Sequence, residues 1–293
     1  MMRLESEPDM KITITKTIFF IAVALCIALG IFTQSKALLA KSENKKLQSQ
    51  LLNVQASINK FSEENDKLEL EIENKQSQYE VSLENLKIAY LTFDDGPSNH
   101  TLEILNTLDK YNVKATFFVN YKEGNEELYK EIVKRGHVLG NHTYSHVYSN
   151  IYSSKEAFVA DVQKLDNELQ KITGKEPSKI IRFPGGSNNT IGGSIKFMSE
   201  LAKNMTDLGY TFFDWNIDSQ DATMLTQRKD VIVNTILRDC QYVQHANILM
   251  HDSDPKVTTL EALPQIIEGL KAQGFVFDKL SHDSPKSQFI IMD

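Results

Sequence analysis

Two adjacent carboxylates, Asp94 and Asp95, close a short apolar run, Ile88-Ala89-Tyr90-Leu91, within the hexapeptide Thr92-Phe93-Asp94-Asp95-Gly96-Pro97. The run reads as a buried strand, and Gly96-Pro97 stops it. Side chains alternate faces along a strand, so the two carboxylates share no direction until the chain turns. An Asp- and Gly-rich turn accounts for such a pair equally well. Partners for both carboxylates further along favour chemistry. Gly140-Asn141-His142-Thr143-Tyr144-Ser145-His146 carries two histidines at i and i+4. They face one point if the segment turns helically, and a divalent metal then suits them. Taken alone, capping or surface histidines explain them as well. A carboxylate from another strand end makes an Asp-His-His site, whose open positions admit water and substrate.

Arg182-Phe183-Pro184-Gly185-Gly186-Ser187 has two readings. One is a glycine-rich turn with an exposed arginine. The other is a guanidinium aimed at a carboxylate, beside a Pro-Gly turn whose backbone N–H faces a developing oxyanion. Asp214-Trp215-Asn216-Ile217-Asp218-Ser219-Gln220-Asp221-Ala222 and Leu249-Met250-His251-Asp252 follow. A strand-end histidine with a carboxylate nearby forms a pair that raises the imidazole pKa and suits it to general acid work. The chain has no Gly-x-Ser-x-Gly elbow and no phosphate-binding glycine loop, which argues against covalent serine catalysis.

These clusters fall where predicted strands end. Strands are expected at Ile88–Phe93, Lys114–Val119, Val138–Gly140, Lys179–Phe183, Thr211–Trp215, Ala246–Met250 and Phe275–Phe277. Helical stretches alternate with them, including Thr101–Tyr111, Glu126–Arg135, Ser154–Ile172, Ile195–Leu208, Asp230–Gln241 and Thr259–Gln273. Strand–helix alternation over about 200 residues predicts an α/β fold, a parallel sheet under covering helices, either open or closed as a barrel. In such folds the chemistry sits in the loops that leave the strand ends.

In this order the four motifs Thr92–Pro97, His142–His146, Arg182–Gly185 and Leu249–His251 resemble the polysaccharide deacetylases of carbohydrate esterase family 4, the NodB-like domain. The resemblance covers about residues 87 to 280. It implies a distorted (β/α) barrel of seven strands and a divalent ion of the zinc type. Carried over motif by motif, Asp94 is the general base, Asp95, His142 and His146 are the metal ligands, and His251 is the general acid. Arg182 orients Asp94, Asp221 pairs with His251, and Leu249 lines the acetyl pocket. The chemistry implied is hydrolysis of an N-acetyl group. Water acidified by the cation gives its proton to Asp94 and attacks the carbonyl, the Gly185 N–H helps hold the oxyanion, and His251 protonates the departing amine. Two positions depart from the family pattern. Ala222 and Gly185 stand where many members have aromatics, which predicts a more open groove with less sugar stacking.

The remainder of the chain differs in character. Residues 1–34 are read as a short tail and a membrane anchor, with an almost wholly apolar stretch from about Ile12 to Phe32. A cleaved signal peptide is the rival reading, and Ala37-Leu38-Leu39-Ala40 matches its cleavage site poorly. Residues 35–87 contain no Gly or Pro. Leu47, Leu51, Val54, Ile58, Phe61, Asn65, Leu68 and Ile72 follow steps of four and three, as in a coiled-coil stalk with a buried Asn65 favouring a dimer. Residues 88–293 form the catalytic domain. A net charge of −7 gives no sign of a nucleic-acid partner. Cys26 lies in the apolar stretch, so a disulfide with Cys240 is not expected. Together these features predict a single-pass signal anchor in the cell membrane with an extracytoplasmic deacetylase on a stalk. Peptidoglycan N-acetylglucosamine is the first substrate expected. Muramic acid residues, chitin-like or poly-N-acetylglucosamine chains and O-acetyl xylan are alternatives, and a non-catalytic glycan-binding scaffold is the rival from another class.

Overall fold

The computed structural model describes residues 20, 23, 41–84 and 86–290. The expected membrane anchor and Cys26 therefore lie outside the described residues, apart from Phe20 and Val23. Among the described residues no helix is long and apolar enough to cross a membrane. Cys240 is buried and free, and burial pushes its thiol up to about 12.

The described residues fall into two units, divided between Glu80 and Val81. The first is carried by helix α1 (Lys41–Glu84), 44 residues that extend about 66 Å at a rise of about 1.5 Å each. Of its expected seam, Leu51, Ile58, Phe61 and Leu68 are exposed, and Val54, Asn65 and Ile72 are partly covered.

The second unit is built in the order β1 (Lys87–Asp94), α2 (Thr101–Lys110), β2 (Thr116–Val119), α3 (Glu126–Lys134), β3 (Val138–Asn141), α4 (Tyr148–Ile151), α5 (Lys155–Thr173) and β4 (Ile180–Ile181). It continues through α6 (Ile195–Asp207), β5 (Thr211–Phe212), β6 (Ile217–Asp218), α7 (Lys229–Asp239), β7 (His245–His251), α8 (Val257–Ala272) and β8 (Phe275–Asp278). Every pairing is parallel, in the order β5-β4-β3-β2-β1-β7-β6, with β8 added to the first half of β1. The sheet is a curled half-barrel of the distorted (β/α) type.

The half-barrel is open at one seam. Among the described residues β5 and β6 do not pair. The Phe213 N–H still bonds to Ile181 O, but the Asp214 N–H turns to Ser287 O at 2.7 Å, so the C-terminal segment lines the gap. β6 was not expected from the sequence, because two residues between Asn216 and Ser219 carry no periodic signal.

Alternation along β1 divides its side chains. Ala89, Leu91 and Phe93 join the cluster under the helices, while Tyr90 packs inward with Phe118, Ile180, Phe213 and Leu280. Asp94 falls on the inward face, and Asp95 is reached only after the strand. Parallel pairing then brings the strand ends to one edge. The β1–β7 register sets Asp94 beside His251, and β3–β4 sets Asn141 beside Ile181, so that His142 and Arg182 leave the sheet together.

Candidate active site

The sequence-selected residues converge on one cleft of about 380 Å³, lined by Asp94, Asp95, His142, His146, Gly185, Leu249 and His251 among others. Arg182 and Asp221 lie buried behind it.

Arg182 is the centre of the buried layer, with 0% of its surface exposed. Its five N–H groups all have acceptors. Nε donates to Phe213 O, Nη1 to Thr92 Oγ1 and Asp94 Oδ1, and Nη2 to Asp214 O and Asn247 Oδ1, at 2.7–3.0 Å. The Phe118 ring stacks on the guanidinium at 4.3 Å. A fork whose donors are all fixed holds the Asp94 carboxylate in one orientation and leaves Oδ2 towards the cleft. The exposed-arginine reading of this motif is thereby excluded.

Asp95 turns away from Asp94 because its backbone sits at φ 71°, left-handed, directly after the strand. Its Oδ1 is buried and, among the described residues, has no hydrogen-bond partner. That oxygen lies 3.3 Å from His146 Nε2 and 3.7 Å from His142 Nε2. The histidines do not converge through a helical turn, as their spacing suggested. A non-helical loop brings them together, with Thr143 at φ 70° and His146 at φ 53°, pinned by Asn141 Oδ1 accepting the Thr143 N–H. His142 Nδ1 bonds to Arg182 O at 2.8 Å, which fixes its proton there and leaves the Nε2 lone pair for the cleft.

The donor set of Asp95, His142 and His146 fits a divalent ion. All three ligand atoms lie within 4.8 Å of one another. Donors about 2.1 Å from a tetrahedral ion are about 3.4 Å apart, close to the separations found here. An orphaned buried carboxylate oxygen is what such an ion would satisfy. Protonation agrees. Burial works to raise the Asp95 carboxyl, and the positive potential of His142, His146 and His251 outweighs it and holds it below the usual carboxylate range. Burial, then the neighbouring His142, depress His146 towards its neutral, ligating form.

On the opposite wall His251 Nδ1 lies 2.7 Å from Asp221 Oδ1, and Asp221 Oδ2 accepts from the His251 N–H and Thr259 Oγ1. Burial opposes the imidazolium. The Asp221 hydrogen bond and charge, helped by Asp94 and Asp95, prevail and lift the pKa to about 9. Lys256 Nζ holds the neighbouring loop by donating to Asp221 O, Met224 O and Leu225 O.

Gly185 occupies the third position of a turn closed by Gly186 N–H to Phe183 O at 2.8 Å. With Pro184 before it and φ 78°, this is a type II turn, which demands glycine or asparagine at that point. Among the described residues the Gly185 N–H has no acceptor. Two aromatics from other segments, Tyr148 and Trp215, line the groove that was expected to be more open. These two, with Asp218, Asp214 and Asn247, are the site residues sequence reasoning missed as such. Asp214 stood in a quoted motif, and its carboxylate accepts from Ser187 N, Ser187 Oγ and Phe289 N, fixing the glycine turn.

Comparison with known proteins agrees with the motifs. A family profile described as "Polysaccharide deacetylase" matches residues 84–213. A peptidoglycan-N-acetylglucosamine deacetylase of Bacillus cereus is 31% identical over 241 residues, 78% of this chain and 81% of the relative. A putative polysaccharide deacetylase of Bacillus subtilis is 33% identical over 204 residues, 66% of this chain and 67% of the relative. Among solved structures, the catalytic domain of a peptidoglycan N-acetylglucosamine deacetylase from Eubacterium rectale superposes with a TM-score of 0.66 at 38% identity, covering 71% of this chain and 94% of that one.

Proposed function

This chain belongs to the polysaccharide deacetylase family, and on that premise we propose that it is a metal-dependent hydrolase removing N-acetyl groups from peptidoglycan N-acetylglucosamine. The observation that carries the reading is two buried ion pairs, Asp94–Arg182 and Asp221–His251, facing one cleft across the Asp95-His142-His146 trio. Zinc bound by that trio would supply a Lewis acid for the acetyl carbonyl and lower the pKa of an attacking water.

The protein groups divide the proton work. Asp94, held by Arg182, accepts the proton of the attacking water at its free oxygen. The Gly185 N–H donates to the carbonyl oxygen as negative charge grows on it. His251, kept protonated by Asp221, gives its Nε2 proton to the amine nitrogen as the C–N bond breaks, because an unassisted amide anion is too poor a leaving group. Leu249 closes the cleft around the acetyl methyl. Acetate and a glucosamine-type amine result.

The substrate assignment draws on the relatives' peptidoglycan activity and on the N-terminal sequence. An apolar anchor at residues 12–32 and a dimeric stalk through 35–87 would hold the 88–293 domain outside the membrane, facing the wall. Zinc-loaded protein and its chelated form are to be incubated with peptidoglycan, N-acetylglucosamine oligomers and acetylated xylan. Acetate release from peptidoglycan, lost on chelation and restored by zinc, is expected. Metal-loaded protein that releases acetate from none of them refutes the enzyme reading, and release from xylan alone refutes the substrate.

A further inference from the structure

The aromatic ring that lines the cleft beside Gly185 comes from an unassigned residue, Tyr148, the first residue of the short helix α4. Its ring stands edge-on to the metal-site residue His146, with centroids 5.3 Å apart at 89°. Its hydroxyl lies 3.2 Å, and its Cε1 3.3 Å, from the point where a Cβ on Gly185 would be. Tyr148 therefore spans from the metal ligands to the turn that presents the free Gly185 N–H.

The two tyrosines of α4 and its cap differ in how they address that turn. Tyr152 Oη donates to Pro184 O at 2.8 Å and ties the helix to the turn. Asn189 Nδ2, donating to Gly186 O at 2.8 Å, braces the other side. The Tyr148 hydroxyl has no partner among the described residues, although the residue is half-buried. An unpartnered donor on a braced element that lines a reaction cleft is poised for a ligand atom.

We infer that Tyr148 is a catalytic residue of this site, its O–H donating a second hydrogen bond, beside the Gly185 N–H, to the oxygen of the acetyl carbonyl. The inference rests on the deacetylase reading above. A neutral hydroxyl binds an oxygen bearing developing negative charge more strongly than a ground-state carbonyl, so its effect falls on turnover rather than on substrate binding. The same placement crowds any side chain at this turn. A residue larger than glycine at position 185 would press on the Tyr148 hydroxyl as well as strain the backbone.

Full-length zinc-loaded protein and its Tyr148→Phe variant are compared on N-acetylglucosamine oligomers, with zinc content and melting temperature measured in both. The expected result is a kcat lowered by about tenfold or more, with KM within about threefold and zinc content unchanged. A kcat within about twofold of the parent overturns the inference. So does a raised KM at unchanged kcat, which would make the ring a wall and the hydroxyl idle. Calorimetric titration with acetate, whose carboxylate places an anionic oxygen at the same point, provides a second readout independent of turnover. Affinity should fall several-fold in Tyr148→Phe, and equal affinities overturn the inference. If the parent were inactive on every acetylated glycan yet acetate bound more weakly to the variant, the deacetylase reading would fail while the Tyr148 contact stood.

Discussion

Replacing Asp221 by asparagine keeps the shape of the side chain and removes its charge. His251 then loses what holds its proton. In the parent, Asp221 Oδ1 lies 2.7 Å from His251 Nδ1, and the imidazole titrates at about 9 against an ordinary value of 6.5. A group that donates its proton to a leaving amine works only while protonated, so parent kcat should hold through neutral pH and fall on the alkaline side, at or below about pH 9. Cation binding at Asp95 opposes the contributions of Asp94 and Asp95, but leaves that of Asp221 in place. Without the Asp221 charge, burial prevails and the imidazole drops to about 6.5 or below. The fall from about 9 corresponds to about 3 kcal/mol. At about pH 7.5 roughly a tenth of the variant's His251 would carry the proton, giving a loss of about tenfold that shrinks on acidification towards about pH 6. Stability follows the same sign. A folded pKa raised above the unfolded one contributes stability that is fully present below about 6.5 and lost as pH rises through about 9. Asp221, depressed below the carboxylate range because the His251 hydrogen bond and charge outweigh its burial, marks the acid edge of the same interaction. Initial rates of acetate release between about pH 5 and pH 10, with melting curves in the same buffers, provide the test. An alkaline limb in Asp221→Asn that coincides with the parent's would refute the assignment of Asp221 as the group that sets His251.

Other outcomes follow from the same geometry. Asp94→Asn should abolish turnover while leaving zinc content near that of the parent, whereas His142→Ala should lose the metal. Near-normal rates in Asp94→Asn would show that another group is the base. Arg182→Met leaves Asp94 buried without its partner, which should cost about 3–5 kcal/mol in urea unfolding, and a loss below about 1 kcal/mol would contradict the central place given to this guanidinium. Sedimentation of residues 35–293 should give a dimer through the α1 seam, with Asn65 cross-linkable to its counterpart, and a purely monomeric species would reject the stalk assignment.

The parts of this site that could be read from the sequence are those whose residue types have few other uses at a strand end. Asp94-Asp95, the His142/His146 pair and His251 stand out because each follows an apolar run, and parallel strands send every such end to one edge. The strand and helix alternation was readable for the same reason. Apolar runs bounded by turn residues located β1, β3, β7 and β8 closely, while β4 and β5 proved to be two-residue pieces within longer predicted runs. What the spacing misjudged was the backbone between the histidines. Convergence there depends on two residues with positive φ, and β-branched Thr143 is a residue type that rarely adopts it.

The residues that escaped detection share a different property, since their roles arise only from contacts between distant segments. Asn247 is an ordinary polar residue within a strand until the β1–β7 pairing sets it opposite Tyr90, where its Oδ1 accepts from Arg182 Nη2 and its Nδ2 donates to Asp214 O. Tyr148 belongs to no motif, and only the fold lays its ring against a glycine 37 positions later in the chain (185 − 148). Gly185 shows the two kinds of information meeting. Against the family pattern it looked like a lost aromatic, and hence an open groove. The backbone shows a type II turn that selects glycine, and the space beside it is taken by an aromatic from another segment. A substitution judged by its own position alone pointed to a missing wall, whereas Tyr148 and Trp215 line the cleft from other segments.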